Sequence, residues 1–266
     1  MFDPTAVQAA PASPHSPNLL ALLAGMWFRP GRTLRAVAAG PAWLWTVPFF
    51  IALALTVGLA FASVPARDAL QREKIQAQME ASLQELPPEL RDSPPEGYAD
   101  VPEPSPVLTL WLPMVSAVAG ILFGWLLRAA VLHVSSMALG GRQSFGAVYR
   151  ASAWASFPLL LRSAVQLIYL LVGGGMSAGA GLSGLLAVAP VAAGGAAPAA
   201  PSILAILLSR VDLYTIWYVI LLGVAVAAAG KLSRGKAAVV AAVYVALSLL
   251  IALAQLVTQG LTGGFA

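Results

Sequence analysis

Long apolar runs, separated by short charged or proline-rich stretches, set out the elements of this chain in order. The first run, NLLALLAGMWF over 18–28, is too short to cross the ~30 Å of bilayer hydrocarbon, which needs about 20 residues. It predicts a short helix. Pro30 begins a second one, with Leu34 and Val37 on its apolar side and Arg32 and Arg35 on the other, and Gly40 with Pro41 stops it. Together with Trp27, Phe28 and Arg29, the helices over 18–41 suit an interfacial anchor on an anionic leaflet. Short helices packed beneath a bundle are the alternative. Residues 42–63 hold the first run long enough to span, with Trp43 and Trp45 at its entry as interface anchors.

Beyond residue 64 the continuous apolar pattern narrows to a stripe. ARDALQREKIQAQMEASLQEL is rich in strong helix formers and places Ile75, Met79, Leu83 and Leu86 three to four residues apart. It predicts a water-exposed extension of the first span, its stripe leaning against its own protein or docking a partner helix, ended by Pro87 and Pro88. A Pro- and acid-rich loop follows to Pro106. The remaining spans are expected at about 108–132, 146–172, 212–229 and 237–256. In the second, Gly120 and Gly124 form a GxxxG pair, and Arg128 lies close enough to the far end to snorkel. Before the third, Gly140 and Gly141 make a tight turn and Ser144 is placed as N-cap; Pro158 then removes one helical hydrogen bond, so a kink or restart is expected. Residues 173–201 are apolar by count, but their glycines, with Pro190 and Pro198, predict an outer loop, followed by a short surface helix over 202–209. Asp212 is placed to cap the fourth span. Residues 1–17 read as a disordered tail, and 259–266 as an uncharged one.

With 59% hydrophobic and 10% charged residues and a mean hydropathy of +0.82, the composition agrees with these runs. The fold class that follows is all-α: a polytopic integral membrane protein with a five-helix transmembrane bundle and N-terminal interfacial helices. Charge orients it. The net charge is +4, yet nine of the eleven acids lie between Asp68 and Glu103. With the N-terminus in the cytoplasm, Arg29, Arg32, Arg35, Arg142, Arg150, Lys231, Arg234 and Lys236 fall on the cytoplasmic side. The acidic 64–106 segment and the C-terminus fall outside, as the positive-inside rule requires. Such segregation points to two aqueous compartments; no basic stripe with interleaved aromatics points to nucleic acid. The chain has no cysteine, which excludes disulfides, thiolate nucleophiles and Cys-based metal sites.

Candidate chemistry is sparse. Arg162 lies twelve residues beyond Arg150, ~18 Å along a continuous helix, so the two cannot reach the same interface. Leaving Arg162 in lipid would cost at least ~3 kcal/mol, so it must face a partner, a polar cavity or the opposite surface. Asp212, helix carbonyls near Pro158 and an anionic solute are the candidates. Gly181, Ser183 and Gly184 have the shape of an intramembrane serine protease motif, but the base is missing, because His133 would lie at the other end. No HExxH, P-loop or dinucleotide fingerprint occurs, and no catalytic residue, metal or cofactor is expected. Arg142, Arg150, Lys231, Arg234 and Lys236 form two basic turns that a five-span bundle can place side by side. They are candidates for fixing topology or for holding anionic lipid headgroups.

Three segments carry a resemblance: FRPGRTLRAV before the first span, GGRQSFGAVYRASAWASFPLLL after the second, and DLYTIWYVILLGVAVAAAGKLSRGKAAVV near the end. Over roughly 18–256, apart from the acidic insertion and the glycine-rich loop, the chain resembles the bacterial branch of the Yip domain family. Eukaryotic members are five-span proteins associated with Rab GTPases and early secretory membranes, an association a bacterial chain need not share. The resemblance implies a five-span fold and a non-enzymatic scaffold or accessory protein of the cytoplasmic (inner) membrane, with membrane lipids and another membrane protein complex as expected partners. The alternative from the residues is a transporter, or its accessory subunit, with Arg162 in an anion-binding cavity.

Overall fold

The computed structural model describes residues 18–85, 103, 105–173 and 211–262. The expectations for 1–17, for the acidic loop over 87–102, for the glycine-rich loop beyond Gly173, for the helix at 202–209 and for 263–266 lie outside the described residues.

Two short helices come first, α1 (Leu19–Phe28) and α2 (Pro30–Ala39). A 3-10 turn at Ala42–Trp45 leads into α3 (Thr46–Ala62), and α4 (Val64–Glu85) continues from it. A π turn at Val107–Trp111 opens α5 (Leu112–Ala138). Then follow α6 (Phe145–Ala155), α7 (Phe157–Leu171), α8 (Leu213–Gly230) and α9 (Arg234–Thr262). All regular structure among the described residues is helical. Five stretches are long and apolar enough to cross a membrane: Ala42–Ala62, Val107–Ala138, Phe145–Leu171, Leu213–Gly230 and Arg234–Ala254.

Side-chain chemistry accounts for the boundaries. Asn18 starts α1 by accepting from the Leu20 and Ala21 N–H groups, and Ser144 starts α6 by accepting from Ala147 N. The third span breaks at Ser156 and restarts as α7 with Pro158 in its first turn, where a missing N–H leaves no helical bond unmade. α5 runs to Ala138, six residues past 132, because the polar His133 and Ser136 stay helical. It ends where Gly140 takes a left-handed φ of 91°. Gly140 N then donates to Met137 O (2.9 Å) and Gly141 N to Ser136 O (2.8 Å), so two orphan carbonyls at the helix end are satisfied.

α8 is the centre of the bundle, packed on α9, α2, α6 and α7; α6 in turn meets α2, α5 and the 3-10 turn, and α3 lies against α7 and α5. Trp154 of α6 is the largest fully buried side chain, and its Nε1 donates to Leu44 O at 2.8 Å. An indole this deep needs that acceptor, because an unpaired N–H would offset part of the gain from burying the ring.

The N-terminal pair departs from the interfacial anchor. Leu22 and Met26 of α1, and Leu34 and Val37 of α2, belong to the same buried cluster as Trp154 and Leu222. The apolar side of α2 therefore meets protein, in the angle between α6 and α8, while Arg29, Arg32 and Arg35 stay exposed. Gly25 permits the close approach of α1 and α2, since a methyl group there would run into the Thr33 hydroxyl.

Candidate functional site

Three places gather the polar side chains of the bundle, one at each end and one at mid-depth. At the end of the bundle where α8 begins, Arg162 Nη1 pairs with Asp212 Oδ2 at 3.0 Å. The same carboxylate accepts from Thr215 N at 2.7 Å and so caps α8. Its depth follows from helical rise: Arg162 stands seventeen residues beyond Phe145, ~26 Å, and the 18 residues of α8 cover ~27 Å. Arg162 is thus level with the start of α8. The Arg162 side chain is 36% exposed, and neither partner lines the large groove of the molecule. A pair this open contributes about 0–1 kcal/mol, less than the cap that Asp212 also supplies.

At mid-depth lies a residue whose expected position was wrong. Arg128 does not snorkel: its side chain is buried, and α5 continues ten residues beyond it, ~15 Å. Its Nη1 donates to Tyr218 Oη at 2.9 Å, and the Tyr218 hydroxyl donates to Tyr244 Oη at 3.2 Å. The guanidinium carbon sits 5.4 Å from the Trp125 ring centroid and 5.6 Å from that of Tyr218. Trp125 is one helical turn before Arg128, so the sequence itself supplies one face of the clamp. Nε and Nη2 have no hydrogen-bond partner, and no carboxylate among the described residues pairs with the charge. Tyr218 is twelve residues, ~18 Å, from the C-terminal end of α8, and Tyr244 ten residues, ~15 Å, from the N-terminal end of α9. The cluster ties α5, α8 and α9 together in the middle part of the bundle, and it holds no acid to relay a proton.

At the opposite end of the bundle the two basic turns meet. Lys236 Nζ donates to Leu139 O at 2.8 Å, taking up a carbonyl left free where α5 ends. Gln143 bridges the same region, with its Nε2 on Ser136 Oγ and its side chain against Gly230, where a methyl would come within 2.8 Å of Oε1. Arg150 is turned inward. Its Nε donates to Val37 O (3.3 Å) and its Nη2 to Ala38 O (2.7 Å), which caps the C-terminus of α2 and places a cation at the negative end of that helix. Two nitrogens of this half-buried guanidinium are thus taken up by backbone acceptors of α2. Arg142, Lys231 and Arg234 are exposed, Arg35 of α2 shares a groove with Arg234, and no described acid lies at this end. Lys231 adopts a left-handed conformation, φ 52° and ψ 31°, immediately after Gly230.

His133 packs edge-to-face on Phe145 at 5.7 Å, and no group of three or more His, Asp or Glu side chains among the described residues is arranged to hold a metal. Gly120 and Gly124 face open space.

A search of curated proteins gave no match, and neither did one of solved structures. A family model described as the Yip1 domain matches residues 24–256, a range that takes in all five spans, the Arg128 cluster and both basic turns. The chain therefore belongs to the Yip1 domain family, as a membrane protein built on an all-α five-helix bundle.

Proposed function

We propose that this chain is a non-enzymatic scaffold or accessory protein of a bacterial cytoplasmic membrane, with its N-terminus inside. Its cytoplasmic end holds anionic lipid headgroups, and its outer arm α4 meets another membrane component. The observation that supports this reading most is the one-signed end that carries both basic turns: Arg32, Arg35, Arg142, Lys231 and Arg234 are exposed there without a described acid among them. Each such cation near an anionic leaflet contributes about 1 kcal/mol, so a few together set a lipid preference. The arm is supported by its exposure. Arg67 Nη1 ties the base of α4 to Thr109 O at 3.3 Å, and its principal contacts are with α3 and the 107–111 turn. Beyond that base most of its side chains face solvent. Arg162 pairs with Asp212 and does not line the large groove, which favours the accessory reading over a transporter.

The test is lipid selection. Purified protein is reconstituted into nanodiscs of mixed phosphatidylethanolamine and phosphatidylglycerol, and the lipids that stay with it are counted by mass spectrometry. Replacing Arg32, Arg142 and Lys231 together by Gln is expected to lower phosphatidylglycerol enrichment by at least about fivefold, the equivalent of one surface cation. Unchanged enrichment refutes the lipid role.

A further inference from the structure

α8 and α9 run antiparallel and touch closely near Ala241, 3.8 Å from where a methyl on Gly223 would sit. Along their outer side the residues are small, and a trough of about 1080 Å³ results, with Ala227 on one wall and Ala238 and Ala242 on the other. Only two charged residues line it, Arg35 of α2 and Arg234 at the first position of α9. Both are exposed and both stand at the cytoplasmic end. Arg35 uses its Nε on Gly31 O (3.0 Å), which leaves its terminal amino groups as donors.

The trough has the polarity of one leaflet and room for an acyl chain along its length. From Arg234 to Leu249 is fifteen residues, ~22 Å, against ~15 Å for half of the hydrocarbon thickness. Two cations thus stand at headgroup level and a wholly apolar channel runs inward from them. A partner helix would have to bring a carboxylate to that spot, whereas a phospholipid supplies the phosphate and the chain in one molecule.

We propose that this trough is a binding site for an anionic glycerophospholipid of the cytoplasmic leaflet, with one acyl chain between α8 and α9 and its phosphate on Arg35 and Arg234. The proposal rests on the reading that this end faces an anionic leaflet, and it replaces a diffuse basic surface by a defined site.

Native mass spectrometry of the full chain tests it, with palmitoyl-oleoyl phosphatidylglycerol and the phosphatidylethanolamine of the same chains as probes. The wild type is expected to retain one phosphatidylglycerol molecule about thirtyfold more strongly than phosphatidylethanolamine, as two cations beside a net-anionic headgroup imply at about 1 kcal/mol each. Ala242→Trp fills the trough at an exposed position and is expected to lose that bound molecule whichever headgroup it carries; Ala238→Phe serves as the second filling variant. Arg35→Gln with Arg234→Gln is expected to abolish the headgroup preference while the chain is still retained. Wild-type retention of phosphatidylglycerol by both filling variants overturns the site. So does a dimer that both filling variants disrupt without any change in lipid, since the trough is then an interface between copies. If the Gln triple at Arg32, Arg142 and Lys231 loses the preference and the trough variants keep it, the general reading stands and this one fails. The reverse result keeps the trough and removes the diffuse surface. A wild type with no preference removes both.

Discussion

Removing one oxygen from Tyr218 isolates what holds Arg128 in the bilayer. Tyr218→Phe keeps the ring that lies 5.6 Å from the guanidinium carbon and deletes the acceptor that receives Nη1 at 2.9 Å. Because Nε and Nη2 have no partner, the buried guanidinium then has no hydrogen-bond acceptor at all. A hydrogen bond to a charged group contributes about 1.5–3 kcal/mol, and losing it with the charge still buried places the cost toward the upper part of that range. Two desolvated ring contacts at roughly 2 kcal/mol each remain, comparable with the ~3 kcal/mol that a mid-membrane arginine costs at the least, so the variant is expected to fold. Tyr244→Phe removes only a neutral bond of 3.2 Å and is expected to cost about 1 kcal/mol or less. Arg128→Met takes away the charge and the need for an acceptor together, and an apolar replacement of a buried ion is near neutral or stabilising. In that background Tyr218→Phe should therefore cost less than about 1 kcal/mol. Denaturant titration of purified protein in micelles, followed by tryptophan fluorescence, measures all four variants. Equal costs for Tyr218→Phe with and without Arg128 would refute the reasoning, because the oxygen would then matter for something other than the charge.

Other outcomes follow from single contacts. Gly25→Ala drives a methyl into Thr33, which is buried and donates to Arg29 O at 3.2 Å, so overpacking of about 1–3 kcal/mol should appear in the same titration. Arg150→Gln uncaps α2 and is expected to cost about 2–3 kcal/mol from two lost charge-assisted bonds, while the lipid preference in nanodiscs stays as in wild type. Lys231→Gly relieves a left-handed non-glycine residue and should raise stability by up to ~1 kcal/mol, whereas Lys231→Ala should not. A photocrosslinking amino acid at Gln76, exposed on α4, is expected to capture another membrane component in cells; the same probe at Gly120, on the open lipid side of α5, should capture less.

Helix positions and their starts were legible in the sequence because caps and breakers act locally. Ser144 and Asp212 each accept the N–H bonds their positions called for, and Pro158 restarts its helix. Depth was not legible, and the two arginines exchanged places on that account. Arg162 looked deep because apolar residues surround it in sequence, yet the chain reaches the outer end of α8 by that point. Arg128 looked shallow because the apolar run fades at His133. The helix continues to Ala138, since Ser136 Oγ returns to His133 O and Gln143 meets the Ser136 hydroxyl from the next turn. Only a contact from another segment could reveal that continuation. The same holds for Arg150, whose acceptors on α2 lie 112 and 113 residues away, and for the trough, which needs α2 laid across α8 and α9.

In the proposed orientation one end of this bundle is a cationic surface turned to the cytoplasm, while α4 lies outside. The chain has no cysteine, so single cysteines report without background. Gly235→Cys, in open space at the start of α9, and Gln78→Cys, exposed on α4, are treated in intact cells with a membrane-impermeant maleimide. The account predicts labelling at residue 78 in intact cells and at residue 235 only after permeabilisation. Labelling of residue 235 from outside, with residue 78 protected, would contradict it.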